Sequence, residues 1–416
     1  MRVLAYVSPA RGDLYPLIPT LLELKGRGHD VSICALSGEV AGLERLGFEA
    51  RPLAPGVEDR QQDDWRGRGP LAKIHRALLV FVDRAEAEVA DVRTAIAETS
   101  PDLLLLDVNS WGAQAVAEAS GLPWAVFAPY PLPIPSRDAP PFGMGLKPMA
   151  GPVGRLRDRS LLKLSLIGWN RVLPRYNAMR RLAGAGPLAS VADLFGRAPL
   201  TIAYTAEPFE YSRSDWPASV RLVGPSCWEP AAEAPAWLGE IDRPVILVTT
   251  STEFQGDDRL VQTALDALAG EPYTVVATCP SGEAAGFRVP ANARVERFVP
   301  HGPILKLAAC VVCHGGMGIT QKALAAGVPV CVVPFGRDQP EVARRVEVAR
   351  AGTRLPAGRL NPERLRKAVL EAIQMRPGAE RVARAFAEAP GPAGASGALE
   401  GLLFSGGTHR QGLAAG

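Results

Sequence analysis

The chain has 416 residues, of which 47% are hydrophobic and 21% are charged, and this length predicts about two or three domains. Its 46 Lys and Arg against 43 Asp and Glu leave a net charge of +3, which argues against a nucleic-acid partner. Six cysteines are too few for a disulfide scaffold. No apolar run reaches the ~18 residues of a membrane span. We therefore expect a soluble, cytoplasmic protein with reduced thiols.

Short apolar runs alternate with amphipathic stretches in the first half of the chain, which is typical of a parallel sheet covered by helices on both faces. The pattern predicts strands at Val3–Ser8, Val31–Leu36, Leu103–Asp107, Trp124–Ala128 and Thr201–Tyr204, and helices at Leu14–Arg27 and Glu86–Thr99.

The second half repeats this alternation, so we predict an α/β protein with two Rossmann-like parallel-sheet domains that face each other across a cleft. Its predicted strands are Val245–Thr250, Tyr273–Thr278, Arg294–Phe298, Cys310–Cys313 and Val328–Val333, and its helices are Arg259–Leu268 and Thr320–Ala326. In the strand around Cys310 and Cys313 the two thiols should point to opposite faces, as core residues rather than a metal or redox pair. Residues 380–403 indicate a helix broken at Pro390–Pro392, and 404–416 a disordered tail.

The segment Cys313–Thr320 reads Cys-His-Gly-Gly-Met-Gly-Ile-Thr, between an apolar strand and a helix. Its glycines allow close approach of a ligand, and a helix start offers free N–H groups and partial positive charge to an anion. The spacing matches neither the dinucleotide fingerprint nor the P-loop, which argues against NAD and ATP. We predict a phosphate site with His314 as a donor. A packed histidine beside a turn is the alternative.

Two motifs accompany this loop, an aromatic-x-Pro at Phe298–Pro300 and the pair Asp338-Gln339. In this order the three motifs resemble the donor-binding signature of GT-B nucleotide-sugar glycosyltransferases, most closely the actinobacterial enzymes that glycosylate antibiotics and other natural products. The resemblance covers almost the whole chain. It implies a GT-B architecture with an acceptor domain at 1–223, a linker at 224–236 and a nucleotide-sugar domain at 237–380. Residues 381–416 then form a helix returning to the first domain and a flexible tail.

The resemblance also implies the donor site. Phe298 stacks on the nucleobase, and the Val299 backbone reads the base edge. The diphosphate is held by the loop, the helix start and two hydroxylic residues of an earlier loop, namely His314, Gly316, Met317, Gly318, Ile319, Thr320, Ser251 and Thr252. Asp338 and Gln339 bind sugar hydroxyls. No carboxylate motif of the metal-dependent transferases occurs, so we expect no metal and no cofactor, with His314 and the helix dipole in place of a cation. Lys322 and His301 depart from the family's Glu and Gln, which leaves their roles open.

On the acceptor side, the family's catalytic base is a His in a Gly-His-x-x-Pro turn, where this chain reads Gly12-Asp13-Leu14-Tyr15-Pro16. Asp13 therefore stands at the position of the base, and Asp107 at that of the family's partner carboxylate. Two close carboxylates repel, and one pKa rises so that they can share a proton. An ionised Asp is a weaker base than His, which favours phenols, N-hydroxy groups, thiols or an activated carbon as acceptors. The alternative for Asp13 is a helix N-cap.

The predicted acceptor-binding residues are Gly12, Tyr15, Tyr130, Phe142, Met144 and Trp169. Residues Gly151–Arg181 carry eight Lys or Arg against one acid. We interpret them as a solvated helix whose apolar face lines the acceptor pocket or the core, with a membrane-surface or partner helix as the alternative.

The sequence thus predicts an inverting, metal-independent glycosyltransferase that moves a (deoxy)sugar from a nucleotide diphosphate onto a hydrophobic or aromatic secondary metabolite. Thymidine diphosphate (TDP) is favoured by analogy over the uridine form. Two alternatives are a non-catalytic auxiliary protein of the same fold and a sugar-nucleotide epimerase. The sugar, the acceptor, the linkage and homodimer formation stay open.

Overall fold

The chain forms two parallel β-sheets, each flanked by helices, in a computed structural model that describes residues 1–67, 70–252, 255–280 and 286–411. The first sheet has seven strands in the order β3-β2-β1-β4-β5-β6-β7. These strands are β1 (Arg2–Tyr6), β2 (Asp30–Ala35), β3 (Glu49–Pro52), β4 (Leu103–Asp107), β5 (Trp124–Ala128), β6 (Thr201–Ala203) and β7 (Val220–Leu222). The helices of this part are α1 (Arg11–Gly26), α2 (Val40–Arg45), α3 (Pro55–Glu58), α4 (Pro70–Thr99), α5 (Trp111–Ser120), α6 (Gly151–Trp169) and α7 (Leu173–Ala183).

The second sheet has six strands in the order β10-β9-β8-β11-β12-β13. They are β8 (Val245–Thr249), β9 (Thr274–Thr278), β10 (Ala293–Glu296), β11 (Ala308–Cys313), β12 (Val330–Val332) and β13 (Gly352–Arg354). Its helices are α8 (Arg259–Leu268), α9 (His301–Leu305), α10 (Met317–Ala325), α11 (Gln339–Val348), α12 (Pro362–Ile373) and α13 (Arg376–Glu388), and α14 (Gly391–Gln411) follows them.

The burial of the central strands agrees with parallel sheets that are covered by helices on both faces. All residues of β4 and β8 are buried, as expected for parallel strands covered on both faces. The thiols of β11 confirm the strand prediction, because Cys310 packs with the core beneath α8 and α12 while Cys313 packs on the opposite face with α10 and α11. Both cysteines are free.

The last helix packs on the first sheet. Ala395 and Leu399 of α14 share a core with the apolar face of α1, and Glu400 accepts hydrogen bonds from Arg27 at 2.9 Å and His29 at 2.8 Å. The sequence predicts a disordered tail from residue 404, whereas α14 extends to Gln411 in the structure, and residues 412–416 lie outside the described residues.

The helices and strands differ from the predicted ones where the hydrophobic periodicity of the sequence is weak. Every predicted strand and helix has a counterpart in the structure, but α4 begins at Pro70 rather than near Glu86. The short strands β3, β7 and β13 were not predicted, because runs of three or four residues carry little periodicity. No helix within the described ranges is long and apolar enough to cross a bilayer.

Candidate active site

A cavity of about 1220 Å³ lies between the two sheets and is lined by loops that follow the carboxyl ends of their strands. We call its wall from residues 1–228 the acceptor half and its wall from residues 229–358 the donor half. The predicted site residues that line it are Gly12, Asp13, Tyr15, Tyr130, Phe142, Met144, Trp169, Ser251, Thr252, Phe298, Val299, His314, Gly316, Met317, Gly318, Ile319, Asp338 and Gln339. Asp107 and Thr320 are fully buried and lie behind this wall.

The glycine loop after β11 brings His314 to the start of α10. Gly315 has φ +96°, and a Cβ on Gly316 would lie 2.4 Å from His314 Nε2, so only glycine leaves room for the imidazole there. Gly316 is the N-cap of α10, and the first helical bond runs from Thr320 N to Gly316 O at 3.2 Å. The N–H groups of residues 317–319 are therefore available to an anion. Thr320 Oγ1 donates to Gly316 O at 2.9 Å, and so closes the helix instead of facing the cavity.

His314 is neutral in this site. Burial, assisted by the positive charge of Arg337, lowers the pKa of His314 to about 4. Its Nδ1 lies 4.0 Å from Asp257 Oδ2, and Asp257 Oδ2 accepts a hydrogen bond from Ser251 N at 2.8 Å. Ser251 Oγ in turn accepts from Gln255 Nε2 at 2.7 Å. The loop after β8 and the glycine loop thus meet around Asp257, which the sequence did not single out.

The pair Asp338-Gln339 stands at the start of α11. Burial raises the pKa of Asp338 to about 6, so this carboxyl titrates close to neutrality. The Gln339 amide accepts from Phe335 N at 2.7 Å and from Gly336 N at 3.1 Å, and it donates to Gln255 Oε1. Gln339 therefore holds the 335–338 loop in shape in this structure.

The acceptor half reaches across the cavity to this same loop. Lys73 Nζ donates to Phe335 O at 3.2 Å, and Arg337 Nε donates to Asp64 Oδ1 at 3.0 Å. Arg337 has φ +53°, a backbone conformation that is uncommon outside glycine. These contacts fix the loop that carries Asp338 against the start of α4, and none of these partners was predicted from sequence.

The opposite end of the donor half carries Phe298, whose side chain is 54% exposed and offers an open aromatic face. Nearby, Lys322 Nζ lies 3.2 Å from Glu229 Oε2. Glu229 also accepts from His301 N at 3.3 Å and from Gly302 N at 2.9 Å. A carboxylate from the chain segment between the sheets thus accompanies Lys322. No spacing signal in the sequence marks Glu229.

Asp13 is not a helix cap. The N-cap of α1 is Ala10, and Asp13 is the third helical residue, so the N-cap interpretation is wrong because the helix begins earlier than its apolar pattern. Asp13 Oδ2 accepts a hydrogen bond from Asn109 Nδ2 at 3.2 Å, and Tyr130 OH donates to Asn109 Oδ1 at 2.7 Å. Asp13 therefore faces the cavity with its carboxylate held by an amide.

Asp107 supports this arrangement from behind. Its two carboxylate oxygens accept from Ser8 N at 3.0 Å and Asn109 N at 2.8 Å. Burial raises the pKa of Asp107 to about 6. The sequence placed Asp107 as the direct partner of Asp13, but in the structure Asn109 makes that contact, and Asp107 fixes the backbone that carries Asn109.

Aromatic rings line much of the acceptor half. Tyr130 and Phe142 have ring centroids 6.4 Å apart, and Phe142 and Trp169 have centroids 6.5 Å apart. Phe81 and Trp111 form a third pair at 5.5 Å that was not predicted from the sequence. All three pairs lie within range of edge or offset packing, so this part of the wall is aromatic and apolar.

Two further segments shape the acceptor half. Glu341 of α11 accepts from Gly143 N at 3.0 Å and Gly145 N at 2.7 Å, which holds the loop that carries Met144. The apolar face of α6 reaches the cavity with Leu164 and Ile167, although their exposed fractions are 62% and 64%. Leu164 and Ile167 therefore border the cavity while facing solvent. In the part of the chain that the structure describes, no group of three His, Cys, Asp or Glu is placed to hold a metal ion.

The chain is similar in sequence to proteins of antibiotic biosynthesis. Residues 262–402 match the model of the erythromycin biosynthesis protein CIII-like C-terminal domain. The 4'-demethylrebeccamycin synthase of Lentzea aerocolonigenes is 33% identical over 97% of this chain and 99% of its own length. The demethyllactenocin mycarosyltransferase of Streptomyces fradiae is 26% identical over 96% of this chain and 86% of its own.

Solved structures agree on the fold. The glycosyltransferase of kitacinnamycin superposes with a TM-score of 0.75 at 23% identity, over 97% of this chain and 99% of that one. Glycosyltransferase VinC, solved with DTDP, superposes with a TM-score of 0.73 at 22% identity, over 97% of this chain and 100% of that one. The two sheets and their connections therefore have the GT-B arrangement.

Proposed function

Because the chain belongs to the erythromycin CIII-like glycosyltransferases of natural-product pathways, we propose that it transfers a (deoxy)sugar from TDP onto an aromatic or hydrophobic secondary metabolite with inversion. The coarser function, sugar transfer from a nucleotide sugar in an antibiotic pathway, is that of the family. The proposal adds the nucleotide, the stereochemistry, the acceptor class, a cytoplasmic reaction and a reaction without metal. The observation that carries it is the cavity that joins Asp13 to the glycine loop.

The donor half supports binding of a nucleotide diphosphate sugar. In this proposal the diphosphate lies against the free N–H groups at the start of α10 and against His314 Nε2, which is packed at Gly316. Phe298 stacks on the base, Ser251 and Thr252 contact phosphate, and Asp338 and Gln339 bind the sugar. The choice of thymidine is supported by glycosyltransferase VinC, which has the same fold and was solved with DTDP.

The reaction is a single displacement. Asp13 takes the proton of the acceptor, and the acceptor attacks the anomeric carbon from the side opposite the diphosphate. The bond from this carbon to the diphosphate oxygen breaks, and the charge of the leaving group passes to the helix N–H groups and His314. Such preorganised donors usually contribute the largest part of catalysis. One displacement inverts the anomeric configuration.

The acceptor half supports an aromatic substrate more acidic than an alcohol. The Asn109 amide donates to Asp13 at 3.2 Å, which fixes the direction of the carboxylate. A carboxylate is a weak base, so the acceptor must give up its proton readily. The rings of Tyr130, Phe142, Trp169 and Phe81 line the cavity and supply an aromatic wall for a planar molecule.

The test is transfer by the purified chain, without any other protein, from TDP-glucose to a panel of phenols, hydroxyanthraquinones and aromatic thiols, followed by mass spectrometry. We expect a glycoside of a planar acceptor and release of TDP. Interconversion of the donor sugar without an acceptor would favour the epimerase. TDP binding without transfer to any member of the panel would favour the auxiliary protein.

A further inference from the structure

Beneath the phosphate loop, two buried polar groups face each other without making a hydrogen bond. His314 and Asp257 are 7% and 0% exposed. His314 Nδ1 lies 4.0 Å from Asp257 Oδ2. Among the described residues, neither His314 Nδ1 nor Asp257 Oδ1 has a hydrogen-bond partner. Leaving such groups unpaired in the interior costs stability, so their persistence points to a state in which they are paired.

The second nitrogen of the ring faces the ligand side. His314 Nε2 occupies the space where a Gly316 side chain would stand, at the N-cap of α10. A neutral imidazole carries a single N–H. If Nε2 donates to a phosphate, Nδ1 is left without a proton opposite the Asp257 carboxyl. Both contacts can form together only when a proton lies between Nδ1 and Asp257.

The electrostatic surroundings of His314 disfavour its protonation in this structure, and a bound diphosphate would favour it. In this structure burial and the charge of Arg337 lower the pKa of His314 to about 4, against an opposing contribution from the Thr249 backbone, while burial raises the pKa of Asp257. Asp258, the neighbouring acid, also has its pKa raised by burial and by Asp257. A diphosphate beside Nε2 adds negative charge that favours a protonated ring and offsets Arg337.

We propose that Asp257 is a positioning residue for His314, and that binding of a nucleotide diphosphate brings one proton from solvent into the Asp257–His314 pair. Nδ1–H then donates to the Asp257 carboxylate, and Nε2–H donates to the phosphate. The site gains a positive charge only when the diphosphate is present. This inference rests on the proposed donor site and adds the proton that accompanies the ligand.

Proton uptake can be measured without knowing the acceptor. TDP is titrated calorimetrically into the full chain at mildly alkaline pH, in buffers that differ in ionisation heat. The wild type should take up about one more proton per TDP than His314→Gln. Asp257→Asn keeps the shape of the side chain and an oxygen that can accept from Ser251 N. It lacks the negative charge that would pair with a protonated His314. It should lose the extra proton and bind TDP about tenfold more weakly, as expected for a lost bond to a charged group.

Asp258→Asn is the matched control, because it removes the neighbouring carboxyl, which makes no capping bond to α8. This variant should behave as the wild type. Equal proton uptake by the wild type and His314→Gln would overturn the proposal. So would an Asp257→Asn variant that matches Asp258→Asn in both uptake and affinity. A wild type that binds no TDP at all would instead remove the donor site, and this inference with it.

Discussion

The donor half and the acceptor half of the cavity are built in different ways. The donor half takes most of its groups from turns that directly follow strands, such as the glycine loop between β11 and α10. The acceptor half collects side chains from α1, α4, α6 and the loops after β4 and β5. A binding site formed by one turn can be recognised as a contiguous sequence motif. A wall formed by five separate segments has no such motif.

The two halves also differ in electrostatics. The donor half offers helix N–H groups and a buried histidine that is neutral in this structure. The acceptor half offers a carboxylate, Asp13, which an amide holds. The first arrangement suits a leaving anion and the second suits removal of a proton. Substitutions in the acceptor half should therefore lower the transfer rate without changing TDP affinity, and substitutions in the donor half should weaken TDP binding.

The largest effect is expected for Asp13→Asn. The change keeps the size of the side chain but removes the proton acceptor, so the transfer rate should fall by about 10²–10⁴, the usual contribution of a positioned base. TDP affinity should stay unchanged, because Asp13 lies in the acceptor half. Steady-state kinetics with a calorimetric TDP titration measure both. Retention of more than about a tenth of the rate contradicts the role of Asp13 as base.

The next effect is on nucleotide binding. His314→Ala should weaken TDP binding by about 1.5–3 kcal/mol, the range for a hydrogen bond to a charged group, or roughly 10- to 150-fold. His29→Ala is the control, because His29 contacts Glu400 at 2.8 Å and does not line the cavity. Unchanged affinity in a folded His314→Ala protein would remove His314 from the phosphate site.

Asp338→Asn should separate donor binding from stability. The donor KM should rise about tenfold through loss of a charged acceptor. The native pKa of Asp338 is raised to about 6, so the folded state holds this proton more tightly than the unfolded state. The ionised carboxyl therefore costs stability above pH 6, and below the unfolded pKa of about 4 this cost vanishes.

Melting curves of the Asp338→Asn variant test whether the ionised Asp338 carboxyl lowers or raises the stability of the fold. Asp338→Asn should melt higher than the wild type well above pH 6, and the difference should shrink as the pH falls towards about 4. A variant that melts lower at alkaline pH would show that the carboxylate stabilises the fold. That result would contradict burial as the cause of the raised pKa.

The smallest effect is expected for metal removal. The start of α10 and His314 supply the positive potential for the leaving group in this account, so the transfer rate should be unchanged in EDTA. The assay compares enzyme dialysed against chelator with untreated enzyme. Complete loss of transfer that Mg²⁺ or Mn²⁺ restores would contradict a metal-free reaction.

The sequence predicted the strands well, since apolar runs act locally. His314, Gly316 and Asp338 all line the cavity as expected. Asn109 was missed because its role comes from a turn that Asp107 fixes, which no periodicity encodes. Asp257 was missed because it pairs with residues far along the chain, and only packing brings it to His314.

The configuration of the product tests the single displacement most directly. TDP-α-D-glucose and a hydroxyanthraquinone are incubated with the enzyme, and the anomeric coupling of the initial product is read by proton NMR. We expect a β-glycoside, because the acceptor activated by Asp13 attacks opposite the diphosphate. An α-glycoside would contradict a single displacement and, with it, the joint action of the two halves on one anomeric carbon.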